Sequence, residues 1–261
     1  IIYFKLTKKH ILMKKAFFFL STISLVAVGS CSSDDSGSSD SATASGPLVK
    51  RMVYSQEDPE GFNYDITYTY NGNKLVEGNH VGGDKEKYYY TGDLITKIEY
   101  IIDVEVEGQD LFIYDATGRL IEYKDQDLVE DDEDRFLFSY NADNTITGTY
   151  FVGSTPYTKT LTIENDEISK IVFNGVGGET YKYSYDTKNS PFKNVTGYAK
   201  IAYAFAGDFE LEGRSHNIAL IRNETHSYNY TVNTYQYNSN DYPTRVVSDA
   251  VLFGNPSNVE R

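Results

Sequence analysis

A short pattern that recurs through most of the chain constrains the fold most strongly. Each copy holds two or three alternating aromatic or β-branched residues, then a turn rich in Asn, Asp or Gly, then a second alternating run. Side chains alternate between the faces of a strand, and Gly, Asn and Asp accept the backbone angles of tight turns, so each copy predicts a β-hairpin. The copies are ITYTYNGNKLVEG, KYYYTGDLITKIEY, LFIYDATGRLIEY, FLFSYNADNTITGTY, LTIENDEISKIVF, YKYSYDTKNSPFKNV and TYQYNSNDYPTRVV.

The spacing of these copies predicts a repeat array. The last strand residue before each turn is Tyr70, Tyr90, Tyr114, Tyr140, Ile163, Tyr185 and Tyr237. The first six lie 20 to 26 residues apart, and 52 residues separate the sixth from the seventh. In such arrays each unit buries its face against its neighbours. The sequence therefore predicts an all-β domain, an antiparallel meander of repeated hairpins that forms a curled, open or partly closed sheet. One face is expected to be aromatic and the other mostly polar.

The 52-residue gap predicts a short helix and two further strands. The residues at helical spacing are Tyr198, Ile201, Ala202 and Phe205, and this pattern stops near Gly207. One helix is therefore expected near 198–207, packed on the sheet. The strands are expected around 218–222 and 228–235.

A second internal repeat supports duplication. HVGGDKEKYYY from His80 and GVGGETYKYSY from Gly175 both place Val-Gly-Gly ahead of a tyrosine-rich strand. Neither is followed by Gly-Lys-Ser/Thr, so the glycines predict turns between hairpins and not a phosphate-binding loop.

The start of the chain predicts a secretory leader. Residues 1–12 are interpreted as an over-extended reading frame, because the first methionine is Met13. Residues 13–30 hold two lysines, an apolar stretch and then small residues, the pattern of a signal peptide. Val28-Gly29-Ser30-Cys31 resembles the bacterial lipobox. This resemblance implies that the leader is cut before Cys31 and that the Cys31 sulfur carries lipid. Two or more fatty chains give stable membrane anchoring.

The residues after the cysteine predict a flexible linker and an export signal. Residues 31–48 are rich in Ser, Gly and Asp and cannot bury a core, so they are expected to be a flexible linker ahead of the β domain at 49–261. The motif Ser33-Asp34-Asp35 resembles the acidic export signal of Bacteroidota-type lipoproteins. It implies an outer-membrane protein that faces the cell exterior.

Composition restricts the partners. The chain has 24 Lys and Arg against 38 Asp and Glu, and residues 1–30 contain five of the lysines and none of the acids, so the remainder carries a net charge of about −19. Such a charge repels nucleic acid, so no nucleic-acid partner is expected. The membrane is expected to be contacted through the lipid on Cys31. No thiol remains for a disulfide once that cysteine is acylated.

A family resemblance extends the repeat. FIYDATGRLIEY resembles the YD repeat of RHS-type wall proteins. YSYDTKNSPFKNV, the Asn217-Ile218 pair and YQYNSNDYPTRVV are together similar to a Bacteroidota-type lipoprotein family of unknown function with YD-like repeats. The most specific part is Asn189 to Asn194, in which Ser190 departs from the usual motif. The resemblance covers most of residues 50–253 and implies a curled sheet of hairpins on a lipid-anchored surface protein, without catalytic residues to transfer.

Sequence motifs for catalysis and metal binding are weak. The histidines after the leader, His80, His216 and His226, lack a Gly-x-Ser-x-Gly or His-Glu-x-x-His context and are expected to be ordinary strand or loop residues. The acidic run 125–134 is interpreted as a solvated loop. Its weak calcium candidates are Asp131, Asp132 and Asp134, but the run lacks the glycine and spacing of a calcium loop, so neither metal nor cofactor is expected.

The function indicated is binding or structural support. With 24 Tyr and no Trp, most tyrosines are expected to form cross-strand rows, and only outward ones such as Tyr89 could contact a ligand. The leading hypothesis is a non-enzymatic surface lipoprotein with a glycan or protein ligand. The alternatives are a glycan-binding accessory lipoprotein of a polysaccharide-uptake system and an enzyme that uses carboxylates near Glu130.

Overall fold

The computed structural model describes residues 22–24, 46–55, 64–152, 155–207 and 213–250. These residues form sixteen strands and one short α-helix. The strands are β1 (Thr22–Ser24), β2 (Arg51–Ser55), β3 (Tyr64–Asn71), β4 (Lys74–His80), β5 (Lys85–Thr91), β6 (Leu94–Ile102), β7 (Glu105–Tyr114), β8 (Leu120–Asp127), β9 (Asp132–Tyr140), β10 (Thr145–Val152), β11 (Thr155–Glu164), β12 (Glu167–Asn174), β13 (Thr180–Tyr185), β14 (Ile218–Asn223), β15 (Tyr228–Tyr237) and β16 (Pro243–Ala250). The helix is α1 (Tyr198–Ile201).

Fifteen strands, β2 to β16, form one antiparallel meander in which each strand pairs with the next along the chain. The predicted all-β fold is therefore confirmed. The meander is not closed on itself: among the described residues β2 and β16 do not pair with each other, and each pairs instead with the three-residue β1.

Alternation along the strands separates an apolar inner face from a polar outer face. The inner face forms a core of aliphatic and aromatic side chains, including Ile95, Phe112, Leu161 and Ile171, each at most 2 % exposed. The outer face carries ion pairs that link neighbouring strands, such as Arg135 with Glu122 at 2.7 Å. This confirms the predicted two-faced sheet.

Tyrosines near the ends of strands connect neighbouring hairpins. The hydroxyls of Tyr114, Tyr140 and Tyr185 each donate a hydrogen bond to a main-chain carbonyl of the preceding strand, at 2.7 to 2.9 Å. Each tyrosine side chain also packs against the core. A buried tyrosine needs apolar packing for its ring and a hydrogen-bond acceptor for its hydroxyl. The recurring tyrosine has both.

The sixth predicted hairpin is wrong, because β13 is not followed by a tight turn and a return strand; among the described residues its antiparallel partner β14 begins only at Ile218. Residues 186–217, where described, instead cross the end of the sheet at which the Gly72, Gly92 and Gly118 turns lie. Thr196 donates its amide to the Asn73 carbonyl at 2.9 Å, and Asn189 donates its amide to the Asp241 carbonyl at 2.9 Å. We call this end the capped end.

Within this segment the helix is shorter than expected. Only Tyr198–Ile201 is α-helical, and turns continue to Phe205. The side chains of Ile201, Ala202, Ala204 and Ala206 are at most 5 % exposed and belong to the core. The segment therefore contributes apolar side chains to the core as predicted, but many of these residues lie in turns and not in the helix.

We call residues 186–217 the capping segment. Its end nearest to β14 is held by a buried carboxylate. Glu167 accepts hydrogen bonds from the main-chain amides of Arg214, Ser215 and His216 at 2.7 to 2.9 Å. Arg214 in turn bonds the Asp166 carboxylate at 2.7 Å. The turn between β11 and β12 thus fixes the chain just before β14.

Candidate functional site

Carboxylates gather on the inner face at the end of the sheet opposite the capped end. The strand register places Asp110 opposite Asp125, and Asp125 opposite Asp134. In the adjacent row Asp127 lies opposite Asp132. Alternation from the core residues of the same strands puts all of these positions on the inner side. We call Glu86, Asp110, Asp125, Asp127, Asp132 and Asp134 the inner acidic surface, and this end the acidic end.

Asp110 is the best-defined member of the inner acidic surface. It is 2 % exposed, and its two oxygens accept hydrogen bonds from the Tyr100 hydroxyl at 2.5 Å and the Tyr123 hydroxyl at 2.9 Å. Burial, together with the Asp110 charge, raises the pKa of Tyr100 well above its usual value. The Tyr100 phenol therefore stays protonated and donates its hydroxyl to Asp110.

The acidic run 125–134 is not a loop, which corrects its interpretation as one. Most of the run extends β8 and β9, and only residues 128–131 form the connecting turn. Asp127 shapes that turn by accepting the amides of Val129 and Glu130 at 2.8 and 2.9 Å. Alternation of apolar and polar residues gives no strand signal here, because residues 130–134 are all acidic.

The three calcium candidates are divided between the turn and the strand. Asp131 lies in the turn with a φ of 54°, whereas Asp132 and Asp134 belong to β9. In the part of the chain that the structure describes, no group of three or more His, Cys, Asp or Glu side chains is arranged to hold a metal ion.

A His–Glu–Tyr cluster forms around Glu86, a member of the inner acidic surface. One oxygen of Glu86 lies 3.1 Å from Nε2 of His80, and the other accepts a hydrogen bond from the Tyr88 hydroxyl at 2.7 Å. Burial and the Glu86 charge raise the pKa of Tyr88 well above its usual value. The side chains of His80 and Glu86 are 16 % and 15 % exposed, so the cluster is partly shielded from water.

A second cluster of the same composition lies at the same end, between β13 and β15. Glu179 has one oxygen 3.1 Å from Nε2 of His226, and its other oxygen accepts a hydrogen bond from the Tyr181 hydroxyl. Burial, and the hydrogen bond that Tyr181 donates to Glu179, raise the pKa of Tyr181. In both clusters the glutamate follows a Val-Gly-Gly turn and precedes the tyrosine by two residues.

Both Val-Gly-Gly repeats form turns, as the sequence predicts, but the roles of the two glutamates were not predicted. The signal was present, since Glu-x-Tyr follows each turn. The histidines could not be found in this way, because His80 precedes its turn whereas His226 comes from the distant turn between β14 and β15. The third histidine, His216, lies at the capped end, where its Nδ1 is 3.3 Å from Glu167.

The outward tyrosine singled out in the sequence is partly covered. Tyr89 is 38 % exposed, its hydroxyl donates to Glu99 at 2.5 Å, and the Lys97 ammonium lies 4.2 Å from the ring centroid. One ring face is therefore occupied by a cation. The predicted lipidation residue Cys31 and the predicted export residues Ser33, Asp34 and Asp35 lie outside the described residues.

The acidic end combines three chemical groups. Carboxylates supply acceptors, tyrosine hydroxyls supply donors, and imidazoles can do either, depending on protonation. Groups of this kind match hydroxyl-rich or cationic ligands by hydrogen bonding and charge.

Comparisons with known proteins show no family for this chain. No family model matches the chain, and no curated protein matches it, so the resemblance to YD repeats stays a prediction. Among solved structures, a porin-like protein from Bacteroides uniformis ATCC 8492 is 12 % identical, with a TM-score of 0.36, over 77 % of this chain and 84 % of that one. Within the described residues, no helix has the length and hydropathy needed to cross a membrane.

Proposed function

We propose that this chain is a lipid-anchored, non-enzymatic protein of the cell envelope whose β domain binds a ligand outside the cell. The observation that carries the proposal is the cysteine at position 31, directly after an apolar leader and small residues and before a polar linker. The net charge of about −19 after residue 30 fits a partner other than nucleic acid.

The entry point of the linker supports an orientation for the domain. The chain enters the β2–β16 meander at the capped end, where the side-chain amide of Asn194 donates to the Pro47 carbonyl at 2.8 Å and the Tyr70 hydroxyl donates to the Val49 carbonyl at 2.7 Å. A linker attached there places the capped end toward the membrane. The acidic end then points away from it, where a ligand can approach.

Metabolic labelling with palmitate tests the anchor. The wild-type chain is expected to incorporate label and to fractionate with membranes, and the Cys31→Ser variant is expected to do neither, because the sulfur is the acylated atom. Ser32→Ala is the matched control, since it changes the neighbouring residue and keeps the thiol. Label on the Cys31→Ser chain would refute the proposed anchor.

Protease treatment of intact cells tests the outward orientation. Replacing Ser33, Asp34 and Asp35 together by alanine is expected to keep the lipid label and to protect the domain from added protease. If this triple variant stays as accessible as the wild type, the acidic motif is not the export signal.

The second candidate function is glycan binding in a polysaccharide-uptake system. It is favoured by the carboxylates and phenols that meet at the acidic end, because sugar hydroxyls bind such pairs of acceptors and donors. A glycan array probed with the purified protein is expected to give hits that the Asp134→Asn variant weakens. Glu164→Gln, an exposed change at the capped end, is the control and should leave the hits intact. No binding to any plant, host or microbial glycan would count against this function.

A further inference from the structure

The two outer strands of the meander are separated by the width of one strand. Position 22 lies in register with Ser55 of β2 and with Val247 of β16, and position 23 with Tyr54 and Val246. Because paired strands lie about 4.8 Å apart, the edges of β2 and β16 are about 10 Å from each other. The strand between them is antiparallel to both.

This strand comes from the segment that the proposed function removes. If the leader is cut before Cys31, as the proposed function requires, residues 22–24 leave the protein and two neighbouring edges lose their hydrogen-bonding partner. Unpaired strand edges are sites at which other polypeptides add. The mature chain would then carry a gap that one strand fills.

The surroundings of the gap define what fits. Met52 of β2 and Val246 of β16 are buried, at 7 % and 4 % exposure, so the core continues up to both edges. On the outer side Arg51 is exposed and bonds the Asp65 carboxylate at 2.6 Å. A strand in the gap therefore needs an apolar residue at the inner position and polar residues on either side, the order found in Thr22-Ile23-Ser24.

Two other occupants fit less well. The edge strand of a second copy is already hydrogen-bonded within its own sheet, and a gap one strand wide has no room for that sheet. The chain's own linker, residues 31–45, consists almost entirely of Ser, Asp, Gly, Ala and Thr, so it lacks a large apolar residue for the inner position and has low strand propensity.

We propose that the gap between β2 and β16 is an acceptor site for one extended peptide strand of a partner protein, with polar–apolar–polar alternation. The leader fills the site in the precursor and vacates it on processing. Added strands usually pair on one side only, whereas here main-chain hydrogen bonds form on both sides. The site is therefore selective for extended backbone and for the alternation of its side chains.

The position of the leader strand is tested in the full chain by disulfide trapping. The Cys31→Ser background contains no other cysteine, so the double change Thr22→Cys and Val247→Cys provides the only pair. These positions are cross-strand partners, and such pairs have Cα separations compatible with a disulfide. Oxidation is expected to join them. The control pair, Thr22→Cys with Val246→Cys, is offset by one residue on β16 and should react much less; equal reaction of both pairs would contradict the register.

The acceptor site itself is tested in the mature protein purified from membranes. A synthetic peptide of residues 20–26 is expected to bind and to slow amide exchange in both β2 and β16. The same peptide with Ile23→Pro lacks one main-chain donor and should bind at least about tenfold more weakly. Equal binding of the two peptides, or protection of both edges without peptide, would overturn the proposal. Palmitate labelling decides the anchor independently, so the two failures are distinguishable.

Discussion

The Tyr114 hydroxyl donates a hydrogen bond to the main-chain carbonyl of Ile95, across the boundary between two hairpins, at 2.7 Å. Tyr114 is the last residue of β7, and Ile95 lies near the start of β6, fully buried. The bond thus joins the third repeat to the second at the point where both strands approach the capped end. The same relationship recurs between Tyr140 and Leu120, which makes it a repeated structural element.

Removing this hydroxyl should weaken the contact between repeats without a large change in packing. Tyr114→Phe is expected to lower the free energy of unfolding by about 1 kcal/mol, because the ring stays while a partly buried carbonyl loses a donor. Urea denaturation followed by circular dichroism measures the change. Tyr89→Phe removes a hydroxyl from the outer face and should change stability by less than about 0.5 kcal/mol. Equal losses in the two variants would mean that the inward hydroxyl has no special role.

Glu167 should be among the least replaceable polar residues at the capped end. Its carboxylate accepts three successive main-chain amides, and a glutamine there would turn an NH₂ group toward amides that need an acceptor. Glu167→Gln is expected to cost about 2 to 3 kcal/mol of unfolding free energy. Hydrogen exchange should speed up at the amides of residues 214–216.

The neighbouring Glu164 provides the control for this prediction. It lies opposite Glu167 in the hairpin but is exposed. Glu164→Gln should change stability by less than about 0.5 kcal/mol. If the amides of 214–216 stay protected in Glu167→Gln, the carboxylate does not hold this segment.

The hairpins were predictable because their information is local. Tyr114 is the last residue of its strand, and Tyr70 and Tyr90 are each the last but one, so the turns lie where the sequence predicts them, and alternation around these tyrosines identifies the inner face. The inner acidic surface depends instead on which residues of different strands face each other. Asp110 pairs with Asp125, and Asp125 pairs with Asp134. These pairings depend on two turns and one bulge, so no single segment of the sequence encodes them.

The capping segment was predicted least well for the same reason. Its sequence after Tyr185 resembles the second half of a hairpin, but Pro191 removes an amide donor and Gly197 adopts a positive φ, and both oppose a continuous strand. What fixes its path is contact with turns far away in the sequence, through Glu167 and Asn73. Helical spacing correctly predicted that Ile201 and Ala202 are buried, but it did not identify Ala204 and Ala206, and it overestimated the length of the helix.

Alkaline pH should unfold the protein through its tyrosines. Burial raises the pKa of Tyr70, Tyr114 and Tyr185 well above their usual value, and raises the pKa of Tyr140 to about 12. A phenol whose pKa is higher in the folded state contributes stability that is complete below the unfolded pKa of about 10 and is lost as pH rises through the folded value. Unfolding is therefore expected between about pH 10 and pH 12.

Tyrosinate absorbance and circular dichroism, recorded together, check this prediction. Ionisation of the buried tyrosines and loss of the β signal should occur in one step. After allowance for any change in its stability at pH 7, the Tyr140→Phe variant should lose its β signal at a higher pH than the wild type. The reason is that one tyrosine whose ionisation favours unfolding is gone. Gradual ionisation near pH 10 with the β signal intact would show that the phenols are accessible in the folded state.

Two glycines with positive φ separate the effect of backbone conformation from that of close packing. Gly92 has a φ of 57° and open space where a Cβ would lie, whereas Gly197 has a φ of 80° and would place a Cβ 2.7 Å from the Asp93 carbonyl oxygen. Gly92→Ala should cost about 1 kcal/mol, from backbone strain alone. Gly197→Ala should cost about 3 kcal/mol, because the opposing atom is main chain of the β5–β6 turn and cannot rotate away. Urea denaturation of both variants measures the difference, and equal costs would show that the capping segment does not pack against this turn.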